Sequence, residues 1–132
     1  MDILIDTQIL VWSFDIHSPL SKHHKELLED ASNRIFVSQI SLMELSIKKN
    51  INKLPDFIPS ISLVVDQLVN NGFNLLRLTN EHIFSYQNLP LFQEYKEPFD
   101  RFIIATAMHE NFTILTADSK FNLYSALIDL IN

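Results

Sequence analysis

The chain has 132 residues, of which 47% are hydrophobic and 20% charged, with a formal net charge of −6 at pH 7 and no cysteine. That length fits one domain around one core, so residues 1–132 are read as a single unit with enough apolar material to fold alone. The composition excludes a disordered tail, a disulfide framework and thiolate metal sites, and the acidic balance speaks against a general nucleic-acid binder, which needs Lys and Arg to neutralise phosphate.

Taken in chain order, Ile3-Leu-Ile5 is a short apolar run closed by Asp6-Thr7 and predicts a buried strand. The acid at Asp2 stands where a signal peptide needs basic residues, and no apolar run is long enough to span a bilayer. A soluble, cytoplasmic protein without membrane association is therefore expected. Ile9 to Phe14 predicts a short helix. Leu20 to Ala31, with Ser21 as N-cap, predicts an amphipathic one whose polar face carries Lys22-His-His-Lys25. Ile35-Phe-Val37 is the second expected strand. Ser41 to Lys49 is the third expected helix, with Leu42, Leu45 and Ile47 facing inward.

Asn50 to Ser60 contains Pro55 and Pro59 and reads as a loop. Ile61 to Asn70 reads as a helix closed by Gly72. This is the only glycine, so no phosphate-cradling glycine loop of any kind exists in the chain. Phe73 to Leu78 predicts a third strand, and Thr79-Asn80 caps a helix from Glu81 to Leu89. Pro90 to Pro98 is irregular. Asp100 to Glu110 is a helix whose start is marked by Pro98. Phe112 to Leu115 and Leu127 to Ile131 complete the expected strands. The alternation implies an α/β fold: a mostly parallel central sheet of four or five strands with helices on both faces. His82 and His109 are expected at the surface, and Trp12 and Phe14 in the core.

Four acids stand out. Asp6 follows the first strand and Asp118 the fourth, at the strand-end edge where open α/β sheets bind ligands. If those two strands are neighbours, the carboxylates converge. The plainer reading of each is a turn residue or helix cap. Glu44 is the only charge in Ile40-Ser-Leu-Met-Glu-Leu-Ser-Ile47. An acid there costs free energy unless it is paired, metal-bound or at the helix rim, and an exposed pair with Lys48 is the plainer reading. Asp100 falls in the first turn of its helix, where the macrodipole favours a carboxylate in any case.

Four stretches together resemble PIN domains of the VapC toxin type. They are Asp6-Thr-Gln-Ile-Leu-Val-Trp12, Ser38-Gln-Ile-Ser-Leu-Met-Glu44, Glu97-Pro-Phe-Asp-Arg101 and Leu115-Thr-Ala-Asp118, the last followed by Phe121 and Tyr124. They come in family order, and the likeness spans residues 3 to 124. The resemblance implies a PIN-like three-layer sandwich and a ribonuclease using Mg²⁺ or Mn²⁺, often the toxin half of a toxin–antitoxin pair. It carries the acidic site onto Asp6, Glu44, Asp100 and Asp118, with Asp6, Asp100 and Asp118 on the metal, and makes Thr116 the hydroxyl that helps orient an acid. Three positions depart from the family pattern: Gln8 and Tyr95, where many relatives carry histidine, and Glu97, where the segment usually begins with Asp.

The chemistry agrees with that donor set. Phosphodiester cleavage at neutral pH needs an activated water and neutralisation of charge on the phosphate, and bound divalent metals supply both. Mg²⁺ prefers oxygen ligands, whereas a chain without cysteine or a clear histidine pair does not suit zinc. Glu44 is expected to hold a metal-bound water or a second ion. Arg101 is read as a phosphate contact or a brace for the acids, or else as a surface ion pair. Lys48, Lys49, Lys53 and Lys96 either lend positive potential to an RNA path or are ordinary solvated lysines. The expected partners are RNA, a cognate antitoxin protein and a second copy of the chain. Two other readings compete: a catalytically weak binding module, and an aspartate-dependent phosphatase. The phosphatase needs a second acid at the position of Gln8.

Overall fold

Ile3, Leu4 and Ile5 are each 0% exposed, because their strand is the middle one of a five-stranded sheet covered on both faces. The computed structural model describes residues 1–132. In chain order it contains β1 (Asp2–Ile5), α1 (Thr7–Ser13), α2 (Lys22–Glu29), β2 (Arg34–Ser38), α3 (Gln39–Asn50), α4 (Ile61–Asn70), β3 (Asn74–Leu76), α5 (Asn80–Gln87), α6 (Pro98–Glu110), β4 (Thr113–Leu115), a 3₁₀ segment (Ser119–Tyr124) and β5 (Leu130–Ile131). The strands lie in the order β3-β2-β1-β4-β5, and every pairing is parallel. An all-parallel sheet needs both faces buried, which is why its central strand reads as unbroken aliphatic residues.

Two apolar clusters fill the space above and below the sheet. On one face Ile3 and Ile5 pack with Ile9 and Leu10 of α1, Leu45 of α3, and Val64 and Leu68 of α4. On the other, Leu4 and Ile114 pack with Ile103, Ile104 and Ala107 of α6, and with Phe121 and Tyr124 of the 3₁₀ segment. The alternation of β1 thus sends Ile3 and Ile5 one way and Leu4 the other. No helix is long and apolar enough to cross a membrane.

Local signals set most boundaries. Ser21, Ser38, Ser60 and Thr79 each accept a backbone N–H at the start of their helices. Glu97 caps α6 through a 3.1 Å bond from the Phe99 N–H, so the change from Asp to Glu keeps the cap. After α4, Gly72 adopts φ 79°, its N–H donates to Val69 O, and the Phe73 N–H donates to Leu68 O. That pair of bonds is a Schellman closure. The strand expected over Phe73 to Leu78 shortens to β3, and the one over Leu127 to Ile131 shortens to β5. Both lie at the edges of the sheet, where only one neighbour supplies hydrogen bonds.

Several side chains depart from expectation. Ile47 is 44% exposed, since it lies on the far side of α3 from Leu45. His82 is not at the surface: it is fully buried, its Nδ1 accepts the Thr79 N–H at 3.1 Å, and its Nε2 lies 2.8 Å from Glu110. Those partners place the ring proton on Nε2 and let the imidazole replace the usual Glu or Gln of a capping box. His24 also turns inward and is buried, unlike its neighbour His23. His109 is exposed as expected, and Trp12 and Phe14 pack half-buried against the first cluster.

Gly72 has open space around its Cα, so a methyl group there meets no neighbour and only the backbone strain counts. Gly72→Ala is expected to lower stability by about 1 kcal/mol, the cost of a left-handed non-glycine residue. Urea unfolding checks this; an unchanged midpoint would contradict the closure as the reason for glycine.

Candidate active site

The register of the central strands determines which side chains meet. Ile5 lies opposite Leu115, so the residues that follow, Asp6 and Thr116, leave the sheet side by side. The Asp6 N–H donates to Leu115 O at 3.2 Å, extending the ladder by one bond. Asp6 is 2% exposed. Its Oδ1 accepts the Ile9 N–H at 2.8 Å, capping α1, and its Oδ2 accepts the Thr116 hydroxyl at 2.5 Å. The Thr116 oxygen in turn accepts the Asp118 N–H at 3.0 Å. Asp118 caps the 3₁₀ segment by accepting the Lys120 N–H at 2.9 Å. Both aspartates are therefore caps, and both converge: each caps through one oxygen, while the threonine hydroxyl links the two turns.

Glu44 and Asp100 approach from helices on opposite sides of the sheet. Glu44 is 5% exposed. Its Oε2 lies 2.7 Å from Lys48 Nζ, so the expected i,i+4 pair forms, though on a buried site and not an exposed face. Its Oε1 is buried without a hydrogen-bond partner, an arrangement that costs free energy unless something else satisfies it. Asp100 is half-buried in the first turn of α6.

Burial and mutual repulsion set the ionisation of this cluster. Burial pushes the Asp6 carboxyl up to about 6; bonds from Thr116 and the Ile9 N–H oppose the rise, and the charges of Asp118 and Glu44 add to it. Burial also pushes Asp100 up to about 7; the Tyr95 hydroxyl opposes this, while Glu44, Asp6 and Glu97 reinforce it. Asp6 and Asp100 thus each feel neighbouring acids. No three of these side chains are drawn together tightly enough to enclose an ion unaided.

Of the three readings of Arg101, the surface ion pair is the one the structure corrects. Arg101 is 7% exposed and makes no ion pair at the surface. Its guanidinium donates to the Tyr124 hydroxyl at 3.2 Å and the Tyr86 hydroxyl at 3.0 Å, and more loosely to Leu89 O and Pro90 O, each at 3.4 Å. It also lies over the Tyr86 ring, 4.7 Å from the centroid. Its donors are spent on tyrosines and loop carbonyls, not offered to a phosphate. Arg101 instead ties the first turn of α6, and with it Asp100, to the 89–90 loop and the 3₁₀ segment.

Two residues of this region were not singled out in the sequence. Thr7 donates to Ser41 at 3.0 Å inside the core, joining α1 to α3 beside Asp6 and Glu44. The spacing of Ser41 and Glu44, three apart on one helix face, was the available signal. Of the four lysines, Lys48 holds Glu44 and Lys49 donates to Phe57 O while lying over the Phe57 ring; Lys53 and Lys96 are exposed.

The two raised carboxyls carry a sign. Between their unfolded value of 3.8 and their folded values of about 6 and about 7, the folded protein holds more protons than the unfolded chain. Stability therefore falls as pH rises through that window and stays lower above it. In EDTA, the melting temperature is expected to drop between about pH 4 and about pH 7, a loss on the order of several kcal/mol in all. Asp6→Asn should flatten part of that slope. A wild-type melting temperature that climbs over the same interval would contradict the burial argument.

Comparison with known proteins places this geometry. The PIN domain family model matches residues 3–127. A comparison with curated proteins finds no significant match. Among solved structures, the chain is similar to the Rickettsia felis VapBC2 structure, bound to a DNA fragment from its promoter, at 23% identity and a TM-score of 0.68, covering 100% of this chain and 98% of that one. It is similar to FitAcB of Neisseria gonorrhoeae at 19% identity and 0.64, covering 98% and 96%. VapBC-5 of Mycobacterium tuberculosis, a toxin–antitoxin system member, gives 12% identity and 0.66, covering 98% and 95%. At such identities the structures speak to the fold alone, but the family model spans nearly the whole chain, and the chain belongs to the PIN domain family.

Proposed function

We propose that the chain is a metal-dependent endoribonuclease that cleaves RNA phosphodiester bonds, and that it is the toxin component of a toxin–antitoxin pair. One observation carries the reading. Asp6 and Asp118 follow β1 and β4 at the carboxyl-terminal edge of the sheet and are linked through Thr116, and the charges of Asp118 and Glu44 act on Asp6 while those of Glu44 and Asp6 act on Asp100. A stable fold gains nothing from such crowding, and strained acidic clusters are retained where they bind cations. Its membership in the PIN domain family and the VapBC complexes to which it is similar point the same way.

The residues fit a hard divalent cation. The donors are all oxygen, no thiolate or imidazole is among them, and Glu44 Oε1 is a buried acceptor without a partner. Mg²⁺ keeps several waters and needs only one or two direct carboxylates, so it does not require a closed cage. Asp6, Asp100 and Asp118 would hold Mg²⁺ or Mn²⁺, with Thr116 fixing Asp6. When bound, such an ion supplies an activated water and neutralises charge growing on the phosphate. Glu44 Oε1 orients the attacking water and accepts its proton. The water oxygen bonds to phosphorus while the opposite ester bond breaks, and the departing oxygen takes a proton from solvent. Arg101 braces the 89–90 loop beside Asp100 and does not contact the phosphate.

The partners follow from surfaces away from the acids. Two adjoining hollows of about 620 and 670 Å³ share Trp12, Phe14 and Asp15, and none of the four acids lines either. Ile16 and Ile58, in their walls, are 86% and 81% exposed. Such an apolar groove suits an antitoxin segment. Met43, Ile47 and Ile51 form a second exposed stripe at i, i+4, i+8 along α3 and its C-cap, which suits a symmetric contact with a second copy. Light scattering is expected to show a dimer, and co-expression with the adjacent reading frame a stable complex. A strict monomer that binds nothing would remove this part of the proposal and leave the nuclease standing.

The central test is cleavage. Protein free of partners should cut RNA with Mg²⁺ or Mn²⁺ and not with EDTA; cleavage in EDTA, or none with either metal, would defeat the mechanism. Asp6→Asn should abolish activity while leaving stability in EDTA unchanged or higher. Mn²⁺ should raise the melting temperature of the wild type far more than that of the variant, because only a site in the folded state gains from the ligand. An equal metal response with retained cleavage would reduce Asp6 to a cap.

A further inference from the structure

Lys48 is the only cationic side chain within ion-pair distance of any of the four acids, and no step of the cleavage uses it. Its Nζ lies 2.7 Å from Glu44 Oε2. An i,i+4 pair with Glu on the N-terminal side is common on helix surfaces and contributes little there. This pair differs in its burial. The Glu44 side chain is 7% exposed and that of Lys48 is 42% exposed, so the lysine reaches inward from the rim of α3 to an acid already inside. Lys49, the next residue, turns away: it donates to Phe57 O and lies over the Phe57 ring.

The two oxygens of Glu44 end in opposite conditions. Oε2 is held by Lys48, whereas Oε1 is buried without a partner. Ser41, one turn earlier on the same face of α3, accepts the Thr7 hydroxyl and makes no bond to Oε1. Thr7 directly follows Asp6, so this face of α3 meets the start of α1, where Asp6 is the cap. A pair that served only the fold would give no reason to bury the acid, since an apolar residue at position 44 would fill the space without an unpartnered oxygen. A pair that serves the site has a reason. A carboxylate tied at one oxygen has its plane fixed, and it presents the other oxygen in a single direction.

We propose that Lys48 is a positioning residue of the acidic site: by holding Glu44 Oε2 it aims Oε1 at the attacking water. The proposal rests on the nuclease reading above. In this role Lys48 touches neither the cation nor the RNA. It acts through Glu44, so its effect falls on the rate of the bound complex and not on binding. Both residues belong to α3 and lie one turn apart, so helix geometry alone sets the pair. The bond is charge-assisted, which makes it stronger and more directional than one between neutral groups.

Lys48→Met keeps most of the stem and removes the ammonium. With RNA and saturating Mn²⁺, kcat is expected to fall about tenfold, the effect of losing one hydrogen bond to a charged group, while KM for RNA stays within about twofold. Lys48→Ala, which favours the helix most strongly, is the second removal and should lose kcat alike. Lys48→Arg can still donate to Oε2 and should recover most of kcat. Titration calorimetry with MnCl₂ should show Lys48→Met binding as tightly as the wild type or more tightly, because the variant loses a positive charge beside the acids and none of the cation's ligands. A lysine that only supported the fold would weaken Mn²⁺ binding and leave kcat per folded molecule unchanged. Lys49→Met removes a charge from the same turn without touching Glu44 and should leave kcat unchanged. Unchanged kcat in Lys48→Met and Lys48→Ala, no recovery in Lys48→Arg, weakened Mn²⁺ affinity, a rise in KM in place of the fall in kcat, or an equal loss in Lys49→Met would each overturn the role of Lys48 alone. A wild type that neither binds Mn²⁺ nor cleaves RNA would instead overturn the nuclease reading, and this proposal with it.

Discussion

The hydroxyl of Thr116 is the hinge on which the acidic edge turns. It donates to Asp6 and accepts from the backbone of Asp118, so one oxygen links the turns that follow β1 and β4. This works only because the two strands are parallel and in register, with Ile5 opposite Leu115. A slip by one residue would send the side chains to opposite faces and place Asp6 against an aliphatic partner. The two cores on either side of the sheet enforce that register: Ile5 and Leu115 belong to one cluster, Leu4 and Ile114 to the other. Packing of aliphatic residues thus decides the distance between carboxylates several residues away.

The remaining acids are delivered by helices from different layers. α3 carries Glu44 and is joined to α1 by the Thr7–Ser41 bond. α6 carries Asp100 and is clamped to the 89–90 loop by Arg101. Each acid is thereby fixed by contacts that do not involve the other acids. That independence matters because the acids repel one another. A cluster held only by its own members would spread apart, whereas one held by an external frame stores the repulsion and releases it when a cation or proton arrives. Burial first, and that repulsion in addition, raise the carboxyls of Asp6 and Asp100.

The surface separates two kinds of chemistry. The acidic edge is polar and lies at the strand ends, while the apolar groove by Trp12 and Phe14 is lined by α1, α2, α4 and the 53–59 loop. The net charge of −6, which by itself argues against contact with a polyanion, is compatible with one in this arrangement. Part of it is concentrated where a cation would neutralise it.

The sequence by itself determined the order and type of the elements, because each rests on local chemistry. Unbroken aliphatic runs make buried strands, Ser21, Ser38 and Thr79 cap helices, and Gly72 closes one. It also marked Asp6, Glu44, Asp100 and Asp118, since acids beside apolar runs are conspicuous. What it could not decide was every question of which residue faces which. Arg101 read as a phosphate contact, a brace for the acids or a surface ion pair, and only the folding of residues 89–90 and Tyr124 around it decided for an internal clamp. His82 looked exposed, and only the packing of α5 against α6 brought Glu110 to its Nε2. Capping and strand propensity act over a few residues and are written in the chain; hydrogen bonds and repulsions between residues far apart depend on register and on how helices pack, and those exist only in the folded protein.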